Sequence, residues 1–183
     1  WKSSSCISGF RKRSSERFHG KPANMKNILI YLFLYLTMNC TGHALAEDEI
    51  IKNGNFVQDM DYWSFAANVA DAGGQASAVV KDGILQIDIN NPGKEPYAIQ
   101  LIQSQIKIEE ALRYKVSFDA KASEKCAIDV KIGGLENTGW KDYTNGESAG
   151  GTIVYLSTEI ENHIFEFGME EKTDANARLE FQL

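Results

Sequence analysis

Short segments along this chain alternate apolar and polar side chains with a period of two. In ILQIDI, residues 84–89, Leu85, Ile87 and Ile89 share one face. YAIQLIQ, residues 97–103, offers Ile99 and Leu101 in the same way, and RYKVSFDAK, residues 113–121, sets Tyr114, Val116, Phe118 and Ala120 against charges. AIDVKI, residues 127–132, sets Ile128, Val130 and Ile132 against Asp129 and Lys131; HIFEFGM, residues 163–169, and ARLEFQL, residues 177–183, follow. A period of two belongs to a β-strand with one face in the core and one in solvent. Turn signals separate the segments: NNPG, IGG, TNG, AGG and TDAN. No long stretch has a helical period. QIKIEEALRY, residues 105–114, admits a short helix, but Ile106 and Ile108 alternate, and its Glu-Glu-Ala-Leu reads equally well as a loop entering the next strand. Repeated short strands without intervening helices predict an all-β chain, a sandwich or a jelly roll. The outward faces carry Gln100, Asp129, Lys131, Arg178, Glu180 and Gln182.

The first 46 residues do not share this pattern. Residues 1–24 are rich in Ser and Arg, have no periodicity and begin with Trp1; they read as non-native sequence upstream of a start at Met25. Residues 25–46 have a basic start at Lys26, an apolar run from Ile28 to Met38 and Ala44-Leu45-Ala46 before Glu47. That is the grammar of a signal peptide cleaved after Ala46, and the run is short of the ~20 residues that span a bilayer. It predicts a secreted protein, extracellular or periplasmic. A lipid anchor on Cys40 is the alternative, against which stands Asn39, where a small residue is usual. Residues 47–183 form the domain.

Charge sharpens the picture. Residues 1–46 hold seven of the 19 Lys and Arg and one of the 25 acidic residues, Glu16, which leaves twelve basic against twenty-four acidic residues in the domain. Such a domain repels nucleic acid, anionic lipid and anionic polysaccharide. Its one cysteine, Cys126, excludes an internal disulfide.

The ordered series NGNF (residues 53–56), DYWSF (61–65), NPGKEPYAIQLIQ (91–103), YKVSFDAKAS (114–123), DVKIGG (129–134) and DANARLEFQL (174–183) resembles the carbohydrate-binding modules of families 4 and 9, found at the ends of secreted glucanases and xylanases. The likeness covers nearly all of residues 47–183. It implies a jelly-roll β-sandwich of galactose-binding-like type with a glycan-binding cleft across one sheet. Family members continue past the position of Leu183 with one more strand, so the resemblance also implies a module lacking its final strand. On that reading the closing strand lies at an open edge, where apolar residues such as Phe181 are left uncovered.

Sugars present hydroxyls on their rims and C–H surface on their faces. A site for them therefore needs flat aromatic platforms and side chains that donate and accept hydrogen bonds. The family pattern carries two polar residues four apart in its closing strand, and here Arg178 and Gln182 occupy those places; Gln100, Asp129 and Lys131 complete the polar face. Tyr97 matches a position where relatives have Trp or Tyr, and Trp140 and Tyr143 lie in GGLENTGWKDYTNG, residues 133–146, the loop where relatives read like GQNGxPW. Trp63, in DYWSF, is expected in the core. Relatives often hold a structural calcium remote from the cleft; Val57 stands where many have Glu or Asp, so calcium binding is expected to be weak or absent. No cofactor is expected otherwise.

The implied function is non-catalytic binding of a soluble neutral polysaccharide, a β-glucan or a xylan, by a monomer or part of a multidomain chain that targets an attached glycoside hydrolase. Two alternatives stand beside it: a fragment of a glycoside hydrolase whose catalytic domain is missing, and a structural adhesion module. Intrinsic catalysis has no support, since the chain has no Gly-x-Ser-x-Gly, no His-Glu-x-x-His and no Glu-x-Asp-x-x-Glu, and His163 is the domain's only histidine. With twenty-four acidic residues, carboxylate pairs arise by chance.

Overall fold

A computed structural model describes residues 28–39, 50–144, 146 and 151–183, the first of these segments by its backbone. Among them are ten strands, three short 3₁₀ turns and no α-helix. The strands are β1 (Ile28–Asn39), β2 (Trp63–Ala67), β3 (Gln75–Lys81), β4 (Ile84–Asn91), β5 (Ile99–Ile108), β6 (Arg113–Lys121), β7 (Cys126–Gly133), β8 (Thr152–Leu156), β9 (Glu161–Gly168) and β10 (Asp174–Gln182). They form two sheets of five, in the orders β3-β4-β1-β6-β9 and β2-β5-β10-β7-β8. Every pairing is antiparallel. The protein is a β-sandwich.

Alternation decides what each sheet gives to the core. The first contributes Leu85, Ile87 and Ile89 from β4 and Val116, Phe118 and Ala120 from β6; the second contributes Ile99, Leu101, Val130, Ile132, Leu179 and Phe181. All are buried, each worth roughly 1.5–3 kcal/mol for its larger side chains. Phe118 and Phe181 join the sheets edge to face, with ring centroids 5.3 Å apart. Trp63 is buried beside Phe56, and its indole N–H donates to the Asn53 carbonyl at 3.2 Å. The ambiguous segment after Gln105 resolves as strand: β5 runs to Ile108, and Glu109 to Leu112 form the turn into β6.

One expectation fails here. The closing strand does not lie at an open edge: β10 is the middle strand of its sheet, between β5 and β7, and Phe181 is buried. One strand's own pattern says nothing about how many neighbours it has. Within the segment read as an export signal, Ile28–Asn39 lies as the central strand of the first sheet, between β4 and β6. Residues 28–36 are all Ile, Leu, Tyr or Phe, a composition that suits an interior strand as well as it suits an export signal. Residues 1–24 and 40–49, including Cys40 and the Ala44-Leu45-Ala46 site, lie outside the described residues.

Candidate functional site

The outer face of the second sheet carries an ordered set of polar side chains. Ala177, Leu179 and Phe181 of β10 point into the core, so Arg178, Glu180 and Gln182 point out. Register then assembles the neighbours. Gln182 stands opposite Gln100 of β5 and Asp129 of β7, Glu180 opposite Ile102 and Lys131, and Arg178 opposite Gly133. Loops rise around this face. Val69 and Ala70, the segment Glu95, Pro96 and Tyr97, and the pair Gly139 and Trp140 wall a groove of about 650 Å³ whose floor is Gln100, Lys131, Arg178, Glu180 and Gln182.

The floor is organised around one carboxylate. Glu180 has no exposed surface. Its Oε1 accepts from Gln100 Nε2 at 2.5 Å and from Gln182 Nε2 at 2.7 Å. Its Oε2 forms an ion pair with Arg178 Nη2 that lies outside hydrogen-bond geometry, so Oε2 and Arg178 Nε have no hydrogen-bond partner. The buried charge is thus compensated, and both glutamine amides are held with their carbonyl oxygens turned from the carboxylate. Lys131, buried on the strand beside Glu180, donates to the Trp140 carbonyl at 3.2 Å.

Trp140 is 48% exposed, and the Arg178 guanidinium carbon lies 4.6 Å from its ring centroid, a cation–π contact. A tight turn presents it. Thr138 N–H and Trp140 N–H both donate to the Leu135 carbonyl, at 2.9 and 3.1 Å, and Gly139 and Trp140 follow with φ of 66° and 59°. Glycine adopts that conformation freely; a tryptophan does so at a cost, and such strain concentrates at functional positions. On the other wall, Pro96 opens the 3₁₀ turn Pro96–Ala98 and sets out Tyr97, 39% exposed.

Six of the eight residues read from the sequence as site candidates come together as groove lining: Tyr97, Gln100, Lys131, Trp140, Arg178 and Gln182. Asp129 shares the sheet face, opposite Gln182, but is not part of the lining. Tyr143 is a correction. It is 5% exposed within the core cluster, and its hydroxyl donates to Asp174 Oδ2 at 2.8 Å. Burial first, and the Asp174 carboxylate second, push its phenol up to about 12. The loop that looked free returns to the sheet: Tyr143 N–H donates to the Ile132 carbonyl at 2.8 Å, and Asp142 bridges Gly133. That pairing turns the ring inward. The reading missed Glu180 as an organiser, although alternation put it on this face. It also missed the walls at Val69, Ala70 and Glu95, for which the sequence holds no signal. Among the described residues no cluster of three or more His, Cys, Asp or Glu is placed to hold a metal ion. Val57, at the position discussed for calcium, is exposed and offers no side-chain oxygen.

The model of one protein family, described as a carbohydrate binding domain, matches residues 48–183. A solved structure described as "CBM4 structure and function" shares the fold, with a TM-score of 0.59 at 24% identity over 73% of this chain and 82% of that one. No curated protein sequence matches the chain.

Proposed function

The chain belongs to the carbohydrate binding domain family that spans residues 48–183, and on that premise we propose that its groove binds a single chain of a soluble neutral polysaccharide, a β-glucan or a xylan, without cleaving it. The observation that carries this reading is the groove itself: an exposed indole at one wall, an exposed phenol at the other and a floor of immobilised amides and cations between them. Aromatic faces stack on sugar C–H surfaces, and amides and guanidinium groups meet hydroxyls. An open groove floored by a sheet suits one extended chain more than a crystalline surface. The acidic excess of residues 47–183 disfavours anionic polymers.

In this reading Trp140 and Tyr97 are the platforms, and Gln100, Lys131, Arg178 and Gln182 hydrogen-bond the sugar. The domain holds an attached glycoside hydrolase on its substrate, in a secreted protein exported by residues 25–46. Structural calcium has no role in the groove. Titration calorimetry against cello-, laminari- and xylo-oligosaccharides tests the assignment. Trp140→Ala is expected to cost about 2 kcal/mol or more of affinity, the scale of an aromatic anchor. Gln182→Ala is expected to cost about 1 kcal/mol, the scale of a neutral hydrogen bond. Equal affinity in wild type and Trp140→Ala removes the platform from this loop, and no binding to any neutral glycan by the folded protein leaves the adhesion-module alternative.

A further inference from the structure

The polar sheet face does not stop at Arg178. Ile102 stands opposite Glu180 on one side and opposite Ser64 of β2 on the other, so Ser64, Ile102, Glu180 and Lys131 form one row across four strands. A second depression, about 290 Å³, adjoins that row, with Tyr62, Ser64, Ile102, Ser104 and Lys52 in its lining. It sits where β5 departs from regular pairing: the β5–β10 register shifts between Ala177 and Leu179, and Gln105 has φ of 62°.

Tyr62 is the notable member. It is 58% exposed and outside the core cluster, so packing does not account for the ring. Yet the loop that presents it is pinned. Asn53 Nδ2 donates to the carbonyls of Asp59 and Asp61 at 2.9 and 3.1 Å, Asn53 Oδ1 accepts from Gln58 N–H at 3.1 Å, and Trp63 N–H donates to the Met60 carbonyl at 2.9 Å. Buried Trp63 follows directly. Tyr62 itself has φ of 71°, and Lys52 Nζ lies 5.3 Å from its ring centroid. An exposed aromatic on a rigid, locally strained loop is pre-organised to stack, because little freedom is left to lose on binding. Tyr62 precedes β2 and Trp140 follows β7, three strand spacings apart, or ~14–15 Å at about 4.8 Å each. A chain lying across the strands passes from one ring over Arg178 and Ser104 to the other.

We propose that the depression beside Tyr62 is a second sugar subsite, which takes further units of the same neutral polysaccharide chain with Tyr62 as stacking platform and Ser64 and Ser104 as hydroxyl partners. The proposal rests on the binding function assigned to the main groove. The test uses the full chain and its Tyr62→Ala, Tyr62→Phe, Ser104→Arg and Trp140→Ala variants. Each is titrated with trisaccharides and hexasaccharides of β-1,4-glucose, β-1,3-glucose and β-1,4-xylose. Wild type is expected to bind the hexasaccharide of its preferred sugar about tenfold tighter than the trisaccharide. Tyr62→Ala is expected to lose about fivefold to tenfold of that gain, the scale of one interface aromatic, with trisaccharide affinity unchanged. Tyr62→Phe retains the gain, and Ser104→Arg, an exposed substitution that obstructs the depression, abolishes it. Trp140→Ala weakens both lengths. A hexasaccharide affinity indifferent to both Tyr62→Ala and Ser104→Arg overturns the subsite and leaves the main groove standing. So does equal weakening of both lengths by Tyr62→Ala, or no length dependence in wild type. Failure of wild type to bind any of these sugars overturns the groove assignment, and the subsite with it.

Discussion

Glu180 binds nothing itself in this scheme, yet it fixes three side chains that do. Its two oxygens hold Gln100, Gln182 and Arg178, and Arg178 in turn lies against Trp140. Removing the carboxylate leaves a buried guanidinium uncompensated, so Glu180→Ala is expected to destabilise the domain by about 3–5 kcal/mol. Replacing both partners, Glu180→Leu with Arg178→Met, is expected to recover most of that stability, because a buried ion pair is worth little against an apolar pair of similar volume. The same double variant is expected to stay weak in sugar binding, since the glutamine amides lose their anchor and the Arg178 donors are removed. Thermal melts and calorimetry on the two variants separate the roles; full binding by the double variant refutes the organising role. His163 gives a pH signature. Burial against Phe118 lowers its pKa below the ordinary 6.5, outweighing the opposite pull of Glu161 and Asp119, and its Nε2 has no hydrogen-bond partner. The unfolded chain therefore takes up a proton at higher pH than the folded one. Stability is full above about 6.5 and declines as the pH falls through that value. Melting temperatures from pH 8 to 5 are expected to show this fall, and His163→Phe to reduce it; an unchanged profile in that variant excludes His163 as its source.

Elements differ in how much their neighbours decide. β1 pairs with β4 at five positions and with β6 at nine, all antiparallel. Without it, two strands rich in buried apolar side chains lose backbone partners on facing sides, and unpaired edges of that kind recruit other chains. The same twelve residues carry export grammar, and the two uses exclude one another after cleavage behind Ala46. A chain that starts at Glu47 is accordingly expected to melt below the full chain and to associate with itself in size-exclusion chromatography. If the two melt together as monomers, β1 contributes nothing to the domain's stability. The edge strands make a related point. Three of the four edge strands, β2, β3 and β8, went unrecognised, as in QASAVVK of β3, where small and polar residues blur the alternation; the fourth, β9, was legible in HIFEFGM. Interior strands β4, β5, β6, β7 and β10 stood out because the opposite sheet demands apolar side chains at every second position.

At the scale of the whole molecule, net charge and groove chemistry make a joint prediction. The domain is acidic, but the proposed ligand is not charged, so no ion pair forms or breaks on binding. Affinity for the preferred oligosaccharide is expected to change less than about twofold between low and high salt, where screening lengths fall from ~30 Å to ~3 Å. A fall of tenfold or more implicates Lys131 and Arg178 in charge recognition and moves the ligand class from neutral to anionic sugars.

The sequence by itself determined the fold class, most of the strands and which residues share a face, because alternation in a strand is a local consequence of backbone geometry. It also determined the family, through motifs spread over nearly the whole domain, and most of the groove lining. What lies between those statements was decided in three dimensions. Trp140 and Tyr143 are three positions apart in one loop, yet one ring is exposed over Arg178 and the other is buried against Asp174. Only the return of residues 142 and 143 to pair with β7 separates them. Glu180 is an unremarkable acid until β5 and β7 close over it from both sides. The second depression lies where a strained loop and a register shift come together at one corner of the sheet. Each of these depends on partners in other elements, and a pattern of period two carries no information about which strands become neighbours.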